Sequence, residues 1–114
     1  MTVKLWLDDV RPAPDGWLHV LTAEEAIAYF ARGIVEAASL DHDLGPSDAG
    51  TGYDVLAWIE RAMNVGAWYG PLPRLFVHSA NPVGRKRMDE AIDAIKDAYA
   101  LLDRGEVAPS DPVR

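Results

Sequence analysis

Carboxylates in close pairs follow two short apolar segments of the chain. The first pair, Asp8 and Asp9, follows the apolar residues 3–7, and the second, Asp41 and Asp43, follows a similar segment. Carboxylates this close repel one another, so a cation or a bound proton must stabilise them. The sequence therefore predicts a divalent-metal site built from these four residues, with Mg²⁺ or Mn²⁺ favoured because both prefer carboxylate oxygen and water. The simpler alternative is that Asp9 begins a turn and Asp43 caps a loop.

Two histidines lie close to these acids in the chain. His42 stands between Asp41 and Asp43, and His78 follows a third apolar segment, residues 75–77. A neighbouring carboxylate raises the pKa of a histidine and fixes its tautomer. Facing one phosphate group, the two imidazoles would act as general base and general acid, and we count Asp41 with them as a candidate catalytic residue. Alternatively they are metal ligands, which would move the preference toward Zn²⁺ or Mn²⁺, or hydrogen-bonded structural histidines.

Four further residues are candidates for binding phosphate: Arg11, Ser79, Asn81 and Arg85. The planar fork of an arginine side chain can bond two phosphate oxygens at once, and Ser79 and Asn81 supply a hydroxyl and an amide. Asn81 precedes Pro82, a pair typical of a helix start, and the free N–H groups of such a start attract phosphate. The simpler interpretation of Asn81 is a helix cap alone.

The elements that must position these residues alternate along the chain. Apolar patterning predicts strands at residues 3–8, 17–21, 36–41 and 74–78. Helices are predicted after Thr22, Thr51 and Asn81, where the first two begin capping-box patterns. This order predicts a parallel sheet with strand order 2-1-3-4 and helices packed on its faces. The acids and His78 would then meet at the carboxyl edge of strands 1, 3 and 4, where such sheets bind ligands.

Length and composition bound the remaining possibilities. The 114 residues, 49% of them hydrophobic and none cysteine, fit one domain at residues 1–105 with a flexible tail at 106–114. A net charge of −7 speaks against binding extended duplex nucleic acid, although a small phosphorylated ligand or one RNA end stays possible. No apolar segment suits a membrane span or a secretory signal, so a cytoplasmic protein is expected. An uncovered sheet edge beside strand 4 makes a homodimer possible.

The acidic pattern resembles the receiver domains of two-component signalling. The resemblance implies a three-layer, flavodoxin-like α/β fold in which Asp8 and Asp9 bind metal, Asp41 accepts a phosphoryl group and Ser79 is the hydroxyl residue. The chain departs from that pattern in two respects. It lacks a fifth strand and helix, and with them the lysine that receivers carry there, and it has the additional histidines His42 and His78.

With these departures, the sequence resembles the cyclic-phosphate processing receiver-like family, which is found in bacteria and phages. The matching segments are LDDVRP with Pro14, LDHDLG at 40–45, TGYD at 51–54 and HSANPVGR at 78–85, within residues 3–95. The resemblance implies action on cyclic phosphates, in nucleotides or at RNA ends. Our first hypothesis is a metal-dependent phosphoesterase of this kind. The alternatives are a phospho-acceptor or nucleotide-binding signalling module without turnover, and an interaction protein that has lost catalysis.

Overall fold

Four strands and three α-helices alternate in the computed structural model of the protein, which describes residues 1–45 and 47–105. The strands are β1 Val3–Leu7, β2 Leu18–Val20, β3 Val35–Leu40 and β4 Arg74–Val77. The helices are α1 Ala23–Ala31, α2 Gly52–Asn64 and α3 Pro82–Asp103, and a 3₁₀ turn spans Ser47–Ala49. The predicted flexible tail at residues 106–114 lies outside the described residues.

The strands form one parallel sheet in the order β2-β1-β3-β4, which confirms the predicted topology. Backbone hydrogen bonds extend this ladder one residue past the end of three strands. The N–H of Asp8 donates to the carbonyl of Val20, that of Asp41 to Leu7, and that of His78 to Leu40. The sheet itself therefore places residues 8, 41 and 78 side by side.

Each helix begins at the residue that the sequence predicts as its cap. The hydroxyl of Thr22 accepts the N–H of Glu25, and Thr51 and Asp54 form a complete capping box at the start of α2. The side chain of Asn81 accepts the first free N–H groups of α3. These caps fix where the helices leave the carboxyl edge of the sheet.

The described helices all pack on one face of the sheet. Leu5 and Leu7 of β1 and Leu40 of β3 join residues of α1, α2 and α3 in a single apolar core. The crossovers from β2 to β3 and from β3 to β4 run in the same direction across the sheet, and right-handed crossovers in one direction lie on one face. The connection from β1 to β2 runs in the opposite direction, but residues 8–17 form a loop, not a helix.

No described helix covers the second face of the sheet. Trp6 lies there beside Ser39, which is 6% exposed, and Phe76 is 48% exposed on the edge strand. Among the described residues no fifth strand pairs with β4, so this edge of the sheet is open. Within the same residues, none of the helices is long and apolar enough to span a membrane.

Candidate functional site

Three carboxylates meet at the carboxyl edge of the sheet. Ligand oxygens of Asp8, Asp9 and Asp41 all lie within 4.8 Å of one another, a geometry that can hold a metal ion. Asp8 is 1% exposed, whereas Asp9 is open to solvent. The cluster opens into a cavity of about 430 Å³, lined by Asp8, Asp9, Val10, Arg11, Asp41, Asp43, Gly45 and Ala80. The described structure thus brings the two acidic segments of the sequence together.

Asp8 is the most firmly held of the three acids. Its Oδ1 accepts the backbone N–H groups of Val10 at 2.8 Å and Arg11 at 2.9 Å, which closes a turn directly after β1. Its Oδ2 lies 3.0 Å from Nε2 of His78. Burial raises the pKa of Asp8, but these hydrogen bonds outweigh burial and hold the pKa below its ordinary value. Asp8 is therefore an anion with a fixed orientation.

His78 is clamped on three sides. Its ring stacks on Trp6 with a centroid separation of 3.9 Å and an angle of 4° between the planes. Nδ1 lies 2.7 Å from the hydroxyl of Ser39, and Nε2 faces Asp8. Burial lowers the pKa of His78, and the hydrogen bond and charge of Asp8 offset this only in part. Since an ionised carboxylate only accepts, a neutral His78 donates from Nε2 and accepts the Ser39 hydroxyl proton at Nδ1.

Arg11 connects the first loop to the end of β4. Its Nη1 donates to the carbonyl of His78 at 2.8 Å and lies 3.7 Å from Oδ2 of Asp8. The indole N–H of Trp6 donates to the carbonyl of Arg11 at 3.1 Å. The Arg11 side chain is nevertheless 48% exposed, so its remaining N–H groups face solvent at the cavity wall. Arg11 can therefore bind an anion in the cavity without giving up its structural contacts.

Asp9 and Asp41 are held much less firmly than Asp8. Neither carboxylate accepts a hydrogen bond from residues 1–45 or 47–105, although each lines the cavity. Gly45 closes over Asp9, because a Cβ at that position would lie 2.8 Å from Oδ2 of Asp9. Two carboxylates without internal donors beside an anchored third fit the oxygen donor set of a hard divalent cation.

His42, Asp43 and Asn81 form a second chain of contacts at the rim. Nδ1 of His42 lies 2.9 Å from Oδ1 of Asp43, and the amide of Asn81 donates to Oδ2 at 3.4 Å. The hydrogen bond from His42 lowers the pKa of Asp43 below its ordinary value. Asp43 lines the cavity but is not among the three carboxylates of the tight cluster. The ring of His42 packs against Gly84, where a Cβ would come within 2.6 Å of it.

The start of α3 has its N–H groups already engaged. Oδ1 of Asn81 accepts those of Val83 and Gly84 at 3.1 Å, and its carbonyl accepts that of Arg85 at 2.8 Å. Ser79 is buried, and its hydroxyl accepts the N–H of Asn81. The Arg85 side chain is exposed and does not line the cavity. Of the four predicted phosphate ligands, the structure thus places Arg11 at the cavity and the other three around the cap of α3.

Three residues that support this site went unrecognised in the sequence: Trp6, Ser39 and His19. His19 Nε2 lies 2.7 Å from the carbonyl of Asp8, in addition to the contacts of Trp6 and Ser39 with His78. The three are register partners across β2, β1 and β3, so they form one row on the uncovered face of the sheet. The available signal was that apolar residues flank each of the three in the sequence.

One comparison with known proteins gave a match. A sequence model of the family described as "Cyclic-phosphate processing Receiver domain" matches residues 3–94, which include the whole acid cluster, His78 and the start of α3. No curated protein and no solved structure matches the chain.

Proposed function

Because the chain belongs to the cyclic-phosphate processing receiver domains, we propose that it is a metal-dependent phosphoesterase that opens cyclic phosphates. The candidate substrates are cyclic nucleotides and RNA ends that carry a cyclic phosphate. The observation that carries the proposal is the cluster of Asp8, Asp9 and Asp41 beside a cavity large enough for a phosphate group. Opening the ring adds water: its oxygen bonds to phosphorus, one P–O ester bond breaks, and the departing oxygen takes up a proton.

The donor set favours Mg²⁺ or Mn²⁺ over Zn²⁺. All three close ligands are carboxylates, and both ring nitrogens of His78 already have hydrogen-bond partners within the protein. Asp8, Asp9 and Asp41 would hold the ion, and Asp43 would reach it from the rim through the cavity. A bound cation would offset the charge of the carboxylates and polarise the phosphate oxygens.

The two histidines support different tasks in this proposal. The ring of His78 is wedged between Trp6 and Ser39 and donates to Asp8, so it orients a metal ligand in the manner of outer-shell histidines. His42 bonds only through Nδ1, to Asp43, and its Nε2 has no partner among the described residues. His42 does not itself line the cavity, but its partner Asp43 does. We therefore assign proton transfer to His42 by way of Asp43, a positioning role to His78, and substrate contact to Asp41 together with the cation.

Phosphate would be bound chiefly by Arg11, whose guanidinium is fixed by the carbonyl of His78 and still half exposed. Asn81 would add its amide from the rim, where it contacts Asp43. Ser79 supports the cap by accepting the N–H of Asn81. Arg85, exposed one turn into α3, would reach only a phosphate that extends beyond the cavity.

The experiment is a screen of 2′,3′- and 3′,5′-cyclic nucleotides and of RNA ending in a 2′,3′-cyclic phosphate, each with Mg²⁺, Mn²⁺ or Zn²⁺. We expect turnover with Mg²⁺ or Mn²⁺, loss in Asp41→Asn, and a reduction of at least tenfold in His42→Ala. His78→Gln, which keeps a donor toward Asp8, is expected to retain more activity than His78→Ala. Absence of turnover with every substrate and ion would refute the phosphoesterase proposal.

The second candidate is a receiver-like phospho-acceptor or a nucleotide-binding module without turnover. Asp41 lines the cavity and accepts no hydrogen bond from the described residues, which favours this alternative because a phosphoryl group would reach the carboxylate from the cavity. Acetyl phosphate with Mg²⁺ tests it. A mass gain that hydroxylamine removes and that Asp41→Asn prevents would favour phospho-acceptance, whereas an unchanged mass would count against it.

A further inference from the structure

Two cations lie on the outer face of α3, just beyond the rim of the cavity. Lys86 and Arg87 line a shallow groove of about 500 Å³ together with Pro82, Val83 and Glu90, and we call this surface the α3 groove. It is separate from the cavity of the acid cluster, and neither the metal nor the proton-transfer residues of the proposed function belong to it.

The two cations are available to an anionic ligand. Within residues 1–45 and 47–105, no carboxylate lies within 4.0 Å of Lys86 or Arg87, although the whole chain has a net charge of −7. The guanidinium of Arg87 lies 4.1 Å from the ring centroid of Tyr53, a cation–π contact that holds it in place. Two neighbouring cations without counter-ions among the described residues, one of them held by an aromatic ring, attract phosphate groups rather than neutral ligands.

The α3 groove and the cavity are lined by residues that are close together in the sequence. Ala80 lines the cavity and Pro82 lines the groove, while Asn81 between them bonds to Asp43 of the cavity wall. Val83, also in the groove, is 77% exposed. A ligand that occupies both would need a terminal phosphate followed by further phosphates and apolar faces, which is the composition of a single-stranded polynucleotide.

We propose that the α3 groove binds the nucleotides that precede a cyclic-phosphate terminus seated at the acid cluster, so that the preferred substrate is an oligonucleotide end rather than a free cyclic nucleotide. This inference deepens the proposed function and depends on it for the position of the terminus. Two cations bind about two backbone phosphates, too few for the extended electrostatic grip that duplex binding requires. The surface therefore selects short single-stranded segments.

Fluorescence anisotropy with a 5′-labelled RNA hexamer ending in a 3′-phosphate tests the groove by binding, independently of turnover. The double variant Lys86→Ala/Arg87→Gln is compared with Lys96→Ala, an exposed lysine about 15 Å along the same helix. We expect the double variant to weaken hexamer binding about tenfold and to reduce the salt slope of log Kd by about 1.4, with Lys96→Ala near wild type. Because Lys86 has no side-chain partner in the described structure, Lys86→Ala alone supplies a variant expected to fold normally.

The outcomes separate the groove from the catalytic proposal. Hexamer binding that is unchanged in both groove variants, or matched by a polyglutamate peptide of equal charge, would overturn the inference. Affinity for 2′,3′-cyclic AMP that equals affinity for the hexamer would also overturn it. Binding that weakens in the groove variants while the wild type hydrolyses no substrate would support the groove and refute turnover.

Discussion

Replacing Asp41 by Asn tests whether the acid cluster is a cation site. In the protein without metal, Asp41 repels Asp8 and Asp9, because ligand oxygens of all three lie within 4.8 Å of one another. Asparagine has nearly the same size and removes one charge. The substitution should therefore stabilise the metal-free protein and, at the same time, remove most of its response to Mg²⁺.

The size of this stabilisation follows from the distance between the carboxylates. At 4.8 Å, the upper limit of the separations in the cluster, two unit charges repel by about 0.9 kcal/mol at the dielectric constant of water and about 3.5 kcal/mol at an effective value of 20. Since Asp9 is exposed and Asp41 only partly buried, the lower part of this range applies. We expect Asp41→Asn to raise the free energy of unfolding in EDTA by about 1–2 kcal/mol. For a domain near this size, that is an increase in Tm of roughly 4–10 °C.

Thermal unfolding followed by circular dichroism, in EDTA and across a Mg²⁺ titration, measures both effects. The wild type should gain about 2.7 kcal/mol when Mg²⁺ reaches a hundred times its Kd, and Asp41→Asn should gain far less. Asp93→Asn, an exposed acid on α3 outside the cluster, is the matched control and should change neither value. A variant that is less stable than wild type in EDTA and keeps the full Mg²⁺ response would refute the reasoning.

Three further predictions concern the groups around the cluster. Ser39→Ala leaves Nδ1 of His78 without its buried partner and should lower the free energy of unfolding by about 1–2 kcal/mol in urea titrations; no change would argue against that hydrogen bond. The folded protein holds the pKa of His78 below 6.5, so on acidification the unfolded chain takes up this proton before the folded protein does. The free energy of unfolding in EDTA should therefore fall as the pH drops below about 6.5. His78→Gln should remove this loss. Gly45→Ala forces a Cβ against Asp9 and should weaken Mg²⁺ stabilisation, whereas Gly33→Ala, with a similar positive φ and no close neighbour, should cost only backbone strain of about 1 kcal/mol.

The position of the site could be predicted because it depends only on where strands end. Apolar segments followed by Asp8, Asp41 and His78, combined with the rule for crossover handedness, suffice to place these residues on one edge. The caps at Thr22 and Thr51 were equally readable, since a capping box is a local pattern.

What the sequence did not reveal depends on side-chain contacts between strands. The hydroxyl of Ser39 contacts His78 only because β3 and β4 pair in a particular register. Trp6, on β1, stacks on the same imidazole ring. The loop from β1 to β2 contains no helix, and the described helices share one side of the sheet.

The hydrogen bonds that join residues 8, 41 and 78 to neighbouring strands have a consequence for the energetics of binding. The backbone of these three residues belongs to the sheet. A ligand that binds there would not have to order a loop, so conformational entropy would reduce its affinity only slightly. The amides of these three residues should exchange with solvent deuterium only when the central sheet opens. A cation bound by the side chains of Asp8 and Asp41 would then slow exchange across the whole domain, because strands and helices share one apolar core.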